Sequence, residues 1–68
     1  MGEGTRAARL LFVMRLLEQR PQTISELAYA CGVSRTTIGR DLITLQISPL
    51  CVPLAVERDR WRVLDLKG

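Results

Sequence analysis

The stretch from Thr23 to Leu45 constrains this chain more than any other, because it holds two helical segments, each with its own start signal, separated by one glycine turn. Thr23-Ile24-Ser25-Glu26 fits a capping box, in which the threonine hydroxyl accepts an early backbone N–H and the glutamate reaches back to the cap. Ile24, Leu27, Ala28 and Cys31 then recur on one side of a helix, with Tyr29 pointing away from them. Gly32 can take the left-handed conformation that closes such a helix. Ser34 is a second preferred N-cap, and after it Ile38, Leu42 and Leu45 return at helical spacing. At about 100° per residue, Thr36 and Arg40 fall roughly opposite that stripe and Thr37 falls to one flank. A short capped helix, a glycine turn and a longer helix with a polar outer side make the helix-turn-helix arrangement, whose second helix enters the major groove of DNA.

The remaining chain supplies what this pair needs in order to bury its apolar sides. Residues 1–4 are glycine-rich and read as a flexible N-terminus, and a helix is expected from Thr5 to Arg20, ended by Pro21. Its inner side is expected to be Ala7, Leu10, Val13, Met14 and Leu17. A second apolar row, Ala8, Phe12 and Leu16, lies one turn apart on the opposite side. One small core cannot readily bury both rows, so this second row is read as a homodimer interface, the alternatives being scattered surface hydrophobes or Phe12 folded onto the tail from Leu64 to Leu66. Ser48-Pro49 ends the helix that begins after Ser34 and places the recognition helix at about 35–47. From Leu50 to Leu64 the alternation is that of strands. With Arg58-Asp59 as the turn, Val56 pairs with Trp61 and Leu54 with Val63, so four apolar side chains share one side, while Glu57 stands opposite Arg60 and Ala55 opposite Arg62. Arg-Asp is a poor pair for a two-residue primed turn, and a four-residue loop over Glu57 to Arg60 fits equally. Trp61 reads as core, and the tip carries Arg58 and Arg60.

The run Gly32-Val33-Ser34-Arg35-Thr36-Thr37-Ile38-Gly39-Arg40-Asp41-Leu42 resembles the recognition-helix signature of the DeoR type of winged helix-turn-helix domain. The similarity extends from Arg9 to about Leu64. It implies a mainly α fold with a small β-hairpin (α+β), three helices followed by a two-stranded wing, over residues 5–64, with residues 65–68 as a tail. It also implies a very short strand at Gln22-Thr23. In that family such a unit is usually fused to an effector-binding domain, for which this chain shows no segment. Three positions depart from the family pattern: Phe12 and Ile43 stand where polar residues are usual, and Gly39 stands where a longer side chain is common. A glycine there costs roughly 1 kcal/mol of helix stability relative to alanine, so either DNA approaches the backbone closely or reading is weak at that point.

Composition excludes more than it assigns. The 68 residues make one domain, near the lower limit for a core without metal or disulfide. With no histidine, and with Cys31 and Cys51 outside any CxxC pair, neither a metal site nor a cofactor is expected, and no nucleophile, base and oxyanion set for an enzyme can be assembled. The longest apolar run, Leu10 to Met14, is far short of the roughly 20 residues of a membrane span. The expected location is the cytoplasm, on the nucleoid of a prokaryote or with a phage. Nine of the ten basic residues are arginine, the side chain suited to phosphate and guanine contacts.

The expected partner is therefore double-stranded DNA, and the expected role is a repressor-like transcriptional regulator. Arg35 and Arg40 are assigned to guanine edges or phosphates, Thr36 to bases, Ser34 and Thr37 to the backbone, Thr23 to a phosphate at a helix N-terminus, and Arg58 and Arg60 to flanking DNA. No small-molecule effector site is visible. The rival reading is a winged-helix module that binds another protein, favoured by Phe12, Leu16, Ile43 and Ile47 and by the acids Glu57 and Asp59 beside the wing arginines.

Overall fold

The computed structural model describes residues 2–64, with side chains from Thr5 onward. The expected tail, residues 65–68, lies outside the described residues. The elements run α1 (Gly2–Gln19), β1 (Gln22–Thr23), α2 (Ile24–Cys31), α3 (Arg35–Gln46), β2 (Leu54–Glu57) and β3 (Arg60–Val63). They form three helices and a small antiparallel sheet, the architecture of a winged helix-turn-helix domain. The sheet has three strands in the order β1-β3-β2, because β1 adds to the outer edge of the hairpin with Gln22 opposite Trp61 and Thr23 opposite Arg60.

Local signals set the helix ends. Thr23 accepts from the Glu26 N–H at 3.0 Å while Glu26 Oε1 accepts from the Thr23 N–H at 2.9 Å, so both halves of the capping box are formed. Gly32 closes α2 at φ 69°, and its left-handed turn lets Val33 N–H reach the Ala28 carbonyl at 3.1 Å. Ser34 then caps α3 by accepting the Thr37 N–H at 3.1 Å. That helix ends at Gln46, one residue before the expected limit, and the following loop is tied back to it by Cys51 N–H to Ile47 O and Val52 N–H to Leu45 O.

The core sits where the three helices meet: Val13 and Leu17 from α1, Leu27 and Ala28 from α2, and Ile38, Leu42 and Leu45 from α3, covered on one side by Leu54, Trp61 and Val63 of the hairpin. Two assignments on α1 need correction. Ala7 is exposed, and Leu16, expected on the outer row, is half-buried against the core. The buried arc is centred near Val13, from which Leu16 lies only about 60° around the helix and Ala7 about 120°. The helix also begins at Gly2, three residues before the expected start.

The hairpin register is the one the alternation predicts, with Leu54 opposite Val63, Ala55 opposite Arg62, Val56 opposite Trp61 and Glu57 opposite Arg60. Of the two loops that fit, the two-residue turn is formed, with Arg58 at φ 54° and Asp59 at φ 68°. Two consecutive positive φ values match the right-handed twist of the strands. The four apolar side chains do not end up equally buried. Val56 is 53% exposed and Trp61 only half-buried, because the hairpin projects past the helices toward its tip.

Candidate nucleic-acid interface

The N-termini of α2 and α3 open onto one cleft of about 730 Å³, closed on its third side by the wing. Thr23, Ile24 and Ser25 come from the start of α2, Arg35 and Thr36 from the start of α3, and Val56, Asp59 and Trp61 from the hairpin. Two helix N-termini pointing into one space bring together backbone N–H groups that the helices themselves leave unpaired, along with the positive ends of two helix dipoles. Such a cleft favours an anion.

Three of the residues assigned from sequence, Thr23, Arg35 and Thr36, are brought together there. Arg40 lies one turn beyond Thr36 on the same exposed side of α3, with no ion pair among the described residues. Ser34 and Thr37 are arranged differently. Their hydroxyls stand 3.0 Å apart and Ser34 also accepts the Thr37 N–H, so both already serve the cap of α3. Thr23 is likewise engaged in its own capping box, and its hydroxyl reaches the cleft only as part of that cap.

The wing arginines do not join the cleft. Arg58 and Arg60 line the other side of the hairpin with Pro21, Glu57 and Arg62. Arg60 turns toward α2, where its guanidinium lies 3.4 Å from Glu26 Oε1. That pair is exposed on both sides and contributes little to stability. The Glu26 carboxyl sits below the usual carboxylate range because the Thr23 backbone N–H donates to it, with Arg60 and Arg20 adding attraction. Ser25, which the sequence offers beside Thr23 as a phosphate contact, does line the cleft; Trp61 in the cleft and Arg62 behind the wing carry no such assignment. Strict alternation along β3 already separates Arg60 and Arg62 from Trp61, and that signal was available in the sequence.

Behind α3 lies a contact that apolar periodicity does not reveal. Arg9 of α1 forks onto Asp41 of α3, Nε donating to Oδ2 and Nη2 to Oδ1 at 3.1 Å, and Asp41 is 1% exposed. The hydrogen bonds to Asp41 hold the Arg9 guanidinium even further above its ordinary range. One turn away Arg6 Nη2 donates to Thr44 Oγ1 at 2.8 Å, and that hydroxyl donates to the Arg40 carbonyl at 2.9 Å. Gly39, between Thr36 and Arg40, has no such internal reason for its identity: a Cβ added there would meet nothing within 4 Å.

The profile of the DeoR-like helix-turn-helix domain matches residues 9–51, from the Arg9 of this fork through both capped helices. The chain belongs to the DeoR-like helix-turn-helix family. This is a family of DNA-binding transcriptional regulators, which supports DNA as a partner of the chain. The wing lies beyond the matched residues, so its place beside the DeoR-like pair comes from the sheet topology. No curated protein and no solved structure matches the chain. Among the described residues no group of three or more His, Cys, Asp or Glu side chains is placed to hold a metal ion, and no helix is long and apolar enough to cross a membrane.

Proposed function

We propose that the protein is a sequence-specific, double-stranded DNA-binding regulator of repressor type, of prokaryotic or phage origin and acting in the prokaryotic cytoplasm, with α3 in the major groove and no catalytic step. The observation that supports this best is the outer side of α3, where Arg35, Thr36 and Arg40 are exposed and their side chains form no ion pair or hydrogen bond among the described residues. Arg40 and Thr36 read base edges, Arg35 and the N–H groups at the start of α2 hold phosphates, and Arg58, Arg60 and Arg62 reach flanking backbone along the outer side of the wing. Selection from a random duplex library, followed by a salt titration of the enriched sequence, tests the reading. A single enriched site with steeply salt-dependent affinity is expected, and no enrichment would overturn it.

The regulator is further proposed to act as a homodimer through α1, because two half-sites give a small domain the specificity that one lacks. The surface suited to pairing is Ala8 and Phe12 with Leu11, at 43% and 54% exposure for the last two, and Leu16 drops out of it because it already packs on its own core. A palindromic selected site and a Phe12→Glu variant that sediments as a folded monomer are expected. A wild type that is monomeric at tens of micromolar would exclude it. The other reading, a protein-binding module, draws on Ile43 and Ile47, which are 61% and 54% exposed at the far end of α3. It predicts negligible affinity for any duplex.

A further inference from the structure

We infer that Arg9 is a positioning residue for the DNA-reading side of α3: its fork on Asp41, backed by Arg6 on Thr44, sets the rotation of that helix about its own axis. The inference rests on the sequence-specific DNA reading proposed above.

Asp41 is as buried as its neighbour Leu42, each at 1% exposure, and the other buried residues of α3 are the apolar Ile38 and Leu45. Replacing a buried ion pair by apolar side chains of similar volume is often neutral or stabilising, so stability alone does not account for a carboxylate in this place. What an apolar contact lacks is direction. Burial of hydrocarbon is favourable at many rotations of a helix, whereas a guanidinium forked on a carboxylate holds two parallel N–H···O bonds in one plane.

The geometry carries this further. The two contacts, Arg9 to Asp41 and Arg6 to Thr44, are spaced three residues apart on both helices. Two points of attachment one turn apart fix a rotation that one point leaves loose. Both adjoin the reading side: Asp41 follows Arg40 in the chain, about 100° around the helix, and Thr44 lies one turn beyond Arg40, its hydroxyl donating to the Arg40 carbonyl. A rotation of roughly 20° carries a group at the helix rim, about 5 to 6 Å from the axis, through about 2 Å. Hydrogen bonds to base edges do not survive that displacement. Contacts between long basic side chains and phosphates do, because they are coulombic and tolerant of position. Loss of the fork therefore lowers preference for the operator and spares binding to DNA in general.

The test uses the full chain and the operator found by selection with the wild type. The double variant Arg9→Met/Asp41→Leu leaves net charge unchanged and fills the site with apolar groups. It is expected to be folded by circular dichroism, with at least a tenfold smaller ratio of operator to non-specific affinity at one salt concentration. Its non-specific affinity and salt slope are expected to stay within twofold. Arg9→Lys keeps the charge without the planar fork, and Arg6→Ala removes only the exposed contact; each is expected to lower the ratio by a smaller factor. A folded double variant with the wild-type ratio overturns the inference, and so does an unchanged ratio in both single variants should the double variant fail to fold. If selection enriches no sequence at all, the DNA-reading proposal itself fails and this inference falls with it.

Discussion

The two sides of α3 differ in how their polar groups are used. On the back, Asp41 is tied to Arg9 of α1, and at the margin of that side Thr44, one turn beyond Arg40, is tied to Arg6. On the front, the side chains of Arg35, Thr36 and Arg40 have no partner among the described residues. One helix thus carries a polar set already matched inside the chain and another left for a partner outside it. The contrast teaches a way of sorting charged residues: removing a matched group should cost stability, and removing an unmatched one should cost only binding.

The largest effect is expected on the back. Arg9→Ala leaves the Asp41 carboxylate buried with no counter-charge, which should destabilise the fold by about 3 to 5 kcal/mol. For a domain of this size that is a fall in Tm of more than about 12 °C. Thermal unfolding followed by circular dichroism measures it, and a fall under about 4 °C would erase the contrast between the two sides. Trp61→Ala follows, at about 2 to 3 kcal/mol, below the range for a fully buried tryptophan because the indole is only half-buried above the cleft. Partial quenching of its fluorescence by iodide, reduced when duplex DNA is added, is the direct check.

How far the sequence disclosed all this depends on the range of the interaction. Both caps, the glycine turn and the hairpin register were legible because each is decided within a few residues of itself, by a hydroxyl three positions from an N–H or by strict alternation across a turn. The Arg9–Asp41 fork joins residues 32 positions apart, and apolar periodicity counts every arginine as solvent-facing. Arg9 and Arg6 lie about 40° and 20° from Val13 around α1, inside the buried arc, so a stripe drawn through apolar residues alone takes in Ala7 and leaves out Leu16. On the wing the alternation gave the correct partners, but it could not tell how far the hairpin projects beyond the helices. The exposure of Val56 follows from that projection, while the turn of Arg60 toward Glu26 follows from the pairing of β1 with β3, which sets Thr23 opposite Arg60.

On the front, Arg40→Ala should leave Tm within about 1 °C and weaken operator binding by about 1 to 3 kcal/mol, concentrated at one base pair if the guanidinium reads a guanine. A loss spread evenly over all sequences would make it a phosphate contact. Gly39→Ala sharpens the contrast, because stability and binding should move in opposite directions. Nothing in the chain obstructs a Cβ there, so the helix gains up to about 1 kcal/mol, while a duplex that approaches the bare backbone is pushed away and operator affinity falls. A variant that is more stable and binds unchanged would show that DNA does not come close at this turn.

The smallest effect compares the caps of the two cleft helices, one with a titratable member and one without. The α2 cap depends on the Glu26 carboxylate, whose pKa is lowered first by the Thr23 backbone N–H and then by Arg60 and Arg20. The α3 cap is built from the Ser34 and Thr37 hydroxyls alone. A carboxyl with a depressed folded-state pKa contributes stability above its unfolded value, near 4.3, and loses that contribution as the pH falls through the lower folded value. Acid should therefore loosen the start of α2 and leave the start of α3 unchanged. Amide exchange of Glu26 and Thr37, each corrected for its intrinsic rate, reads the two caps side by side between about pH 5 and pH 3. Protection at Glu26 should fall relative to Thr37, and Glu26→Gln should abolish the difference in pH response. Parallel loss at both amides would mean that acid acts on the whole fold, and that the α2 cap carries no separate charge-dependent contribution.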